Sequence, residues 1–373
     1  MIMIKKERLI KYFTELVSID SESFHERQIA DYIIDKLKGI GFEVYEDDCG
    51  GKIGGNAGNI YGYWKGSIPG EPILLSAHMD TVKPGIGKGA IIKDNGTIVG
   101  NGKAVLGADD ISGVASILEA LETVAEKKIP HRDIEVLFTV AEEVYIQGSA
   151  AFDYSRLKAK EAYVFDLSGP VGTAAIQSPT LVSFEIGIKG RAAHAGFSPE
   201  LGVHAIMIAS KAISQIQMGR IDENTTVNIG TIEGGRARNI VPDSCIIKGE
   251  VRSLEHEKSL AVAREIREIF EKEAEKTGGL IEYKESFGCV AYNIDKEERV
   301  VTRFLDICEK LSIQSDLITT LGGSDNNNFA LNGIRGIVLA CGMNNVHSLG
   351  EYSHVDELVK SSLIALEIIR AQV

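Results

Sequence analysis

Cysteine is scarce in this 373-residue chain: Cys49, Cys245, Cys289, Cys308 and Cys341 are its five copies. An odd number, widely scattered and without a CxxC pair, argues against a disulfide framework and points to reduced thiols in a cytoplasmic protein. Long apolar runs are missing too. No stretch approaches the roughly 20 apolar residues of a membrane-spanning helix, so no membrane partner is expected. The opening residues run straight into the amphipathic set Leu9, Tyr12, Phe13 and Leu16, without the apolar block and small-residue cleavage site of a signal peptide. Positive charge is in deficit, 40 Lys and Arg against 53 Asp and Glu, for a net charge of −13. That balance disfavours nucleic acid and anionic membrane surfaces, which reward basic patches. There is no internal repeat and no low-complexity tract.

What is present is a globular composition, 44% hydrophobic, on a length that suggests two or three domains at about 150 residues each. Up to Asp166 apolar runs alternate with helical spacing such as Val114, Ile117, Leu118 and Leu121, which reads as βαβ units and a mainly parallel sheet. Ser23 and Glu26 read as a capping box before a helix, and residues 83–101 as an irregular Gly-rich loop. The middle differs. Strands are expected over 181–189, 225–232, 245–251 and 280–285, with helices over 201–218 and 257–276. That β-α-β-β-α-β order is the ferredoxin-like arrangement. The α/β pattern then resumes. The expected organisation is an α/β catalytic domain, residues 1–178 and 289–373, with an inserted ferredoxin-like α+β domain, residues 179–288.

Five short segments carry acids or histidines in order: His78-Met79-Asp80, Asp109-Asp110, Glu142-Glu143, Asp166 and His347. Three of them follow apolar runs that read as buried strands, and open α/β sheets place their sites just past the carboxyl ends of such strands. The pattern sets oxygen and imidazole ligands along one rim: five candidate ligands and a spare carboxylate, the complement that two hydrolytic metal ions need. His78 and Asp80, two apart in extended chain, share a face, so Asp80 is placed to accept a ring N–H of His78 and fix its tautomer. Asp109 and Asp110 open a helix. One can complement the helix dipole while the other bridges ions about 3.5–4 Å apart, and Asp109, which precedes the helix, is the expected bridge. Of Glu142 and Glu143 at a strand end, one would ligate and the other face substrate; the pair is costly there without a cation. Each fragment has an ordinary alternative, a turn, an N-cap pair or an exposed acidic corner, and only the succession is specific.

Ser76-Ala77-His78-Met79-Asp80-Thr81-Val82, Gly107-Ala108-Asp109-Asp110, Ala141-Glu142-Glu143 and Val164-Phe165-Asp166 resemble the successive motifs of the M20 metallopeptidases, especially the peptidase T (tripeptidase)-like branch, over nearly the whole chain. The resemblance implies two divalent metal ions, zinc first, with manganese or cobalt also suited to oxygen and nitrogen ligands. It implies His78 and Asp166 on one ion, Glu143 and His347 on the other, and Asp109 between them. Glu142 would be the general base and Asp80 the residue that orients His78. His347 is expected in preference to His354, because His347-Ser348 followed by Glu351 fits the family's pattern.

In the inserted region, Gly190-Arg191-Ala192-Ala193-His194-Ala195-Gly196 resembles the family's lid histidine motif. By that resemblance His194 helps polarise the scissile carbonyl, and the inserted domain pairs two chains as a homodimer. Asn239 and Arg252 resemble substrate-binding positions, and an arginine suits a substrate carboxylate through a bidentate pair. Gly322-Gly323-Ser324-Asp325 resembles a loop beside the metals, with Gly323 and Ser324 as expected substrate contacts. The expected activity is hydrolysis of the amide bond of a small peptide, as an aminopeptidase on tri- or dipeptides. In the family, Asp rather than Glu at the place of Asp166 goes with aminopeptidases and dipeptidases. The rivals are a deacylase or carboxypeptidase of the same fold and a non-catalytic homologue.

Overall fold

The computed structural model describes residues 4–370. They form two compact units. The larger comprises the chain up to Gln177, Asn293–Thr320 and the chain from Ser324 on; the smaller comprises Ser178–Tyr292 and Leu321–Gly323. The short segment Leu321–Gly323, expected with the larger unit, clusters with the smaller, where Arg252 Nη1 donates to the Leu321 carbonyl at 2.9 Å and Ser178 Oγ to the Gly322 carbonyl at 2.8 Å.

Four parallel strands form the centre of the larger unit, in the order Ile134–Thr139, Ile73–His78, Glu161–Ser168 and Arg335–Met343. Every residue of the first two is buried, as continuous apolar runs in a covered sheet should be. Antiparallel strands extend the sheet on both sides, Ile60–Trp64 and Glu43–Glu46 at one end and Thr173–Ser178 at the other, so the sheet is mixed around a parallel centre. The helix Ala108–Lys127 packs on three of the parallel strands and is itself covered by the helices Lys6–Val17 and Val355–Arg370. The register pairs His78 with Thr139 and Ser76 with Val164. The segments after His78, after Thr139, at Asp166 and after Met343 therefore emerge on one rim, the carboxyl ends of the strands.

The smaller unit is an antiparallel sheet in the order Thr225–Gly234, Ser244–Ser253, Thr180–Lys189, Leu280–Cys289, with the helices Ala205–Ile213 and His256–Glu275 packed on it. This is the expected ferredoxin-like arrangement, widened by a short edge strand, Gly219–Asp222. Phe184, Ile186, Ile208, Ile247, Ile266 and Phe270 give it a core of its own.

Local structure departs from expectation in several places. The helix expected over 201–218 spans only Ala205–Ile213. A single 3-10 turn, Pro199–Leu201, precedes it; Val203 then pairs with Arg191 in an isolated bridge, and His204 Nδ1 accepts the Met207 N–H, so the chain is extended from Gly202 to that cap. The Ser23–Glu26 capping box does not form. Ser23 Oγ donates to Asp80, while Glu26 accepts the N–H groups of Phe24 and Ala141; both side chains are drawn toward the functional rim. Residues 83–101 are not wholly irregular: Ala90–Ile92 and Thr97–Gly100 form a hairpin joined by Tyr352–His354, with strands too short to show as alternation. No helix among the described residues is long and apolar enough to cross a membrane.

Candidate metal centre and active site

His78 closes its strand and is buried. Its Nδ1 donates to the backbone carbonyl of Asp80 at 2.9 Å, with the Asp80 carboxylate farther off at 3.5 Å. The ring is thus oriented by the main chain of Asp80 more than by its side chain. With Nδ1 so held, Nε2 faces Asp109 Oδ1 at 3.1 Å and Asp166 Oδ1 at 3.7 Å. The Asp80 carboxylate ties the rim together instead. It accepts Ser23 Oγ–H at 2.7 Å, the Glu142 N–H at 2.9 Å and the Glu143 N–H at 3.2 Å.

Gly107, at φ +73°, turns the chain toward the helix, but Asp109 and Asp110 have ψ of 102° and 33°, so the regular helix begins after them. Asp110 points inward. Its Oδ1 accepts the Gly113 N–H at 3.2 Å and its Oδ2 the His78 N–H at 3.1 Å, the role of a helix cap. Asp109 stays outside. Its Oδ1 lies 3.1 Å from His78 Nε2 and its Oδ2 3.2 Å from His347 Nε2. Glu351 fixes this corner by accepting the N–H groups of Gly107 at 2.7 Å and Asp109 at 2.9 Å.

Glu142 and Glu143 do not end a strand as expected, because the strand stops at Thr139. Ala141, at φ +51°, breaks the extended run and brings both glutamate N–H groups onto Asp80. Glu143 Oε2 lies 2.9 Å from His347 Nε2, and its buried Oε1 has no hydrogen-bond partner among the described residues. His347 follows the strand Arg335–Met343 and is half exposed. His354 belongs elsewhere: its Nε2 lies 2.9 Å from the Asn95 carbonyl and its Nδ1 accepts the Asp356 N–H.

Two groups of potential ligand atoms result, His78 with Asp109 and Asp166, and Asp109 with Glu143 and His347, each within 4.8 Å. Asp109 is common to both. Their oxygen and nitrogen donors and the orphaned Glu143 oxygen fit a pair of divalent cations. The electrostatics agree. Despite burial, Asp109, Asp80 and the charges of Asp166 and Glu142 push the His78 imidazole well above its usual range. Asp109 and Glu143 push His347 up to about 10. Burial, with like charge from Asp325, Glu143 and Asp80, lifts the Glu142 carboxyl well above the ordinary range; burial with Asp110, Glu142 and Asp109 does the same for Asp166. Burial acts against the charge of Asp109 as well, but its bonds to His347 and His78 hold its carboxyl well below the usual value. A pocket of this negative potential favours cations.

In the smaller unit, His194 is exposed, stacks on Phe197 with ring centroids 4.3 Å apart, and accepts the Gly196 and Phe197 N–H groups at Nδ1. That fixes the neutral tautomer with its proton on Nε2, a hydrogen-bond donor. The Asn239 carbonyl accepts the N–H of Ala195, and Ile240 bridges to His194, so Asn239 and His194 share one corner. Arg252 is engaged by Glu250, with Nε 2.8 Å from Oε1, and by the Leu321 carbonyl. Gly323 lies in the smaller unit, whereas Ser324 caps the helix Asp325–Leu331 of the larger.

Three site residues lay outside the expected set. Asp325 is buried and accepts Thr139 Oγ1–H and Ser149 Oγ–H, both at 2.5 Å. Glu26 and Glu351 brace backbone corners of the rim. Asp325 stood in the Gly322–Asp325 motif and Glu351 in the pattern that selected His347, so each carried a signal; Glu26 carried only a misleading one.

Relatives share this architecture. A family model described as "Peptidase dimerisation domain" matches residues 176–278. One described as "Peptidase family M28" matches residues 59–211, the stretch that holds His78, Asp109, Glu142, Glu143 and Asp166. The aminopeptidase PepT from Bacillus cereus is 40% identical, with a TM-score of 0.93 over 99% of each chain. A tripeptidase from Staphylococcus aureus is 35% identical, with a TM-score of 0.96 over 99% of this chain and 98% of that one. The uncharacterised protein YqjE from Bacillus subtilis is 39% identical over 98% of this chain and 99% of its own length. With full-length relatives at this identity and the motif succession converging on one rim, the chain belongs to the M20 metallopeptidases, in their peptidase T-like branch.

Proposed function

We propose that this chain is a di-metal aminopeptidase that releases the amino-terminal residue of tri- or dipeptides. One observation carries the reading: Asp109 divides its two oxygens between His78 and His347, while Asp166 and Glu143 complete the two groups and Glu142 belongs to neither. Two divalent ions, zinc above all, would be held by His78, Asp109 and Asp166 and by Asp109, Glu143 and His347, and when bound would supply Lewis acidity at the scissile carbonyl and the attacking water. Glu142 takes the water's proton and returns it to the leaving amine. Asp80 sets the Glu142 and Glu143 backbone and, through its carbonyl, the His78 ring. His194 offers its Nε2–H to the developing oxyanion. Asn239, Gly323 and Ser324 contact the peptide, and Arg252 takes its carboxylate in exchange for Glu250. The smaller unit forms a homodimer, and the five buried cysteines, none of them in a disulfide among the described residues, suit a reducing cytoplasm.

The test is product analysis. Metal-loaded protein is incubated with di- and tripeptides and their N-acetylated counterparts, and products are identified by mass spectrometry. Chelator-sensitive release of the first residue from unmodified tripeptides is expected, with N-acetylated peptides left intact. Release of the last residue would make the chain a carboxypeptidase, cleavage confined to N-acyl amino acids a deacylase, and the absence of any product a non-catalytic homologue.

A further inference from the structure

The opposite rim of the parallel sheet carries a second cluster, of opposite charge. A cavity of about 500 Å³ opens beside the helix Arg299–Leu311, lined among others by Arg299, Arg303, Asp306, Lys310, Glu367 and Arg370. Its carboxylates are largely engaged. Glu367 accepts from Lys310 at 2.6 Å and from Arg370. Glu161, the first residue of its strand, accepts from Arg303 and lies 3.7 Å from Arg299. Arg303 is only 7% exposed; its Nη1 also donates to the Tyr163 hydroxyl at 3.0 Å, and its buried Nη2 has no hydrogen-bond partner among the described residues.

Arg132, two residues before the strand Ile134–Thr139 and close to Arg303 but not itself lining the cavity, is 1% exposed, and among the described residues its Nε and Nη2 have no hydrogen-bond partner. Burial and the like charge of Arg303 hold it down to about 10, still protonated at neutral pH, with Glu161, Tyr163 and Arg299 also close enough to act on it. Buried guanidinium N–H groups without acceptors are costly, and a bound anion removes that cost. Among the residues that line the cavity, Arg299, Arg303, Lys310 and Arg370 stand against Asp306 and Glu367. This local surplus of two positive charges stands on a chain of net charge −13.

We propose that this cavity is a binding site for a phosphate group, either the free ion or a small phosphomonoester. A doubly charged tetrahedral oxyanion matches both the surplus and the several converging guanidinium donors, where a lone carboxylate would match neither. The volume leaves room for a small organic portion as well. The site lies about five strand residues from Asp166, roughly 17 Å at the rise of a β-strand, so it is separate from the metal centre.

The experiment is calorimetric titration, with thermal melts, of the metal-loaded protein at constant ionic strength, using inorganic phosphate, sulfate and glycerol phosphate as probes. Saturable binding of inorganic phosphate is expected in the wild type and equally in Asp109→Ala, which lacks the shared metal ligand. Arg303→Met should weaken it about tenfold or more, the loss of a charge-assisted donor. Arg299→Ala and Lys310→Ala, which remove largely exposed side chains and leave the core intact, should weaken it several-fold. Tighter binding of glycerol phosphate would assign the site to a phosphomonoester, and tighter binding of inorganic phosphate to the free ion. The proposal is overturned if no saturable binding occurs, if all three cavity variants bind as the wild type does, or if binding is lost in Asp109→Ala alone, which would place the anion on the metals.

Discussion

Asp109 and Asp110 are identical in chemistry and adjacent in sequence, yet one faces the ligand cluster and the other caps a helix. The position of Asp109 ahead of the helix is the feature of the sequence that sets it apart from Asp110. For His347 and His354 the distinguishing feature is the spacing to Glu351, whose carboxylate accepts the Asp109 N–H. The use of the Asp80 carboxylate was not legible. An i, i+2 rule places it on the face of His78, but its strongest partners come from Ser23 and the Glu142–Glu143 turn, about 60 residues away on either side. Metal analysis of three variants checks the ligand assignments. Asp109→Ala should lose both ions, His347→Ala should weaken one site, and His354→Ala should keep the wild-type content. Metal lost from the His354 variant but retained by the His347 variant would reverse the choice.

At the scale of elements, the buried strands were legible because they are continuous apolar runs, and the long helices because their apolar spacing persists over several turns. What failed was short or set by distant partners: the helix after His204, the three-stranded hairpin sheet, and the role of Glu26. Two elements approach closely under the metal site. A Cβ added to Gly113 would lie 2.2 Å from the Phe165 carbonyl oxygen and 2.5 Å from Asp110 Oδ1, so Gly113→Ala must part the helix Ala108–Lys127 from the strand that carries Asp166. A loss of about 1–3 kcal/mol is expected, measured by urea unfolding; an unchanged midpoint would show that the contact yields freely. Glu26 joins the start of the helix Arg27–Ile40 to the Ala141 turn from a fully buried position, and burial, aided by the charge of Asp80, pushes its carboxyl up to about 7 from 4.5. The folded chain therefore keeps a proton that the unfolded chain releases. The contribution of Glu26 is complete below about pH 4.5 and is lost as pH rises through about 7, roughly 3 kcal/mol in all. Glu26→Gln should flatten the wild-type decline in melting temperature from about pH 5 to pH 8; parallel curves would contradict this.

For the whole molecule, the insertion of a ferredoxin-like unit into an α/β unit was legible from the change in element order at about residue 180, because hairpin-connected strands replace strand–helix alternation. The attachment of Leu321–Gly323 to the smaller unit was not, since it depends on Arg252 and Ser178, far away in sequence. Whether the proposed homodimer brings His194 to the partner's substrate is decided by a mixing experiment. His194→Ala should keep its metals and lose about 10²–10³-fold in turnover, the scale of one oxyanion donor. Mixed with inactive Glu142→Gln under conditions that exchange subunits, it should recover up to about a quarter of wild-type activity if heterodimers form statistically. No recovery, with heterodimers shown to be present, would confine His194 to its own chain. The claim on which all of this stands is a two-metal centre served by a separate proton carrier. It is tested most directly by measuring metal content and tripeptide turnover of Glu142→Gln side by side with the wild type. Full metal content with turnover reduced by about 10²–10⁴-fold or more is expected; near-normal turnover with both metals retained would contradict it.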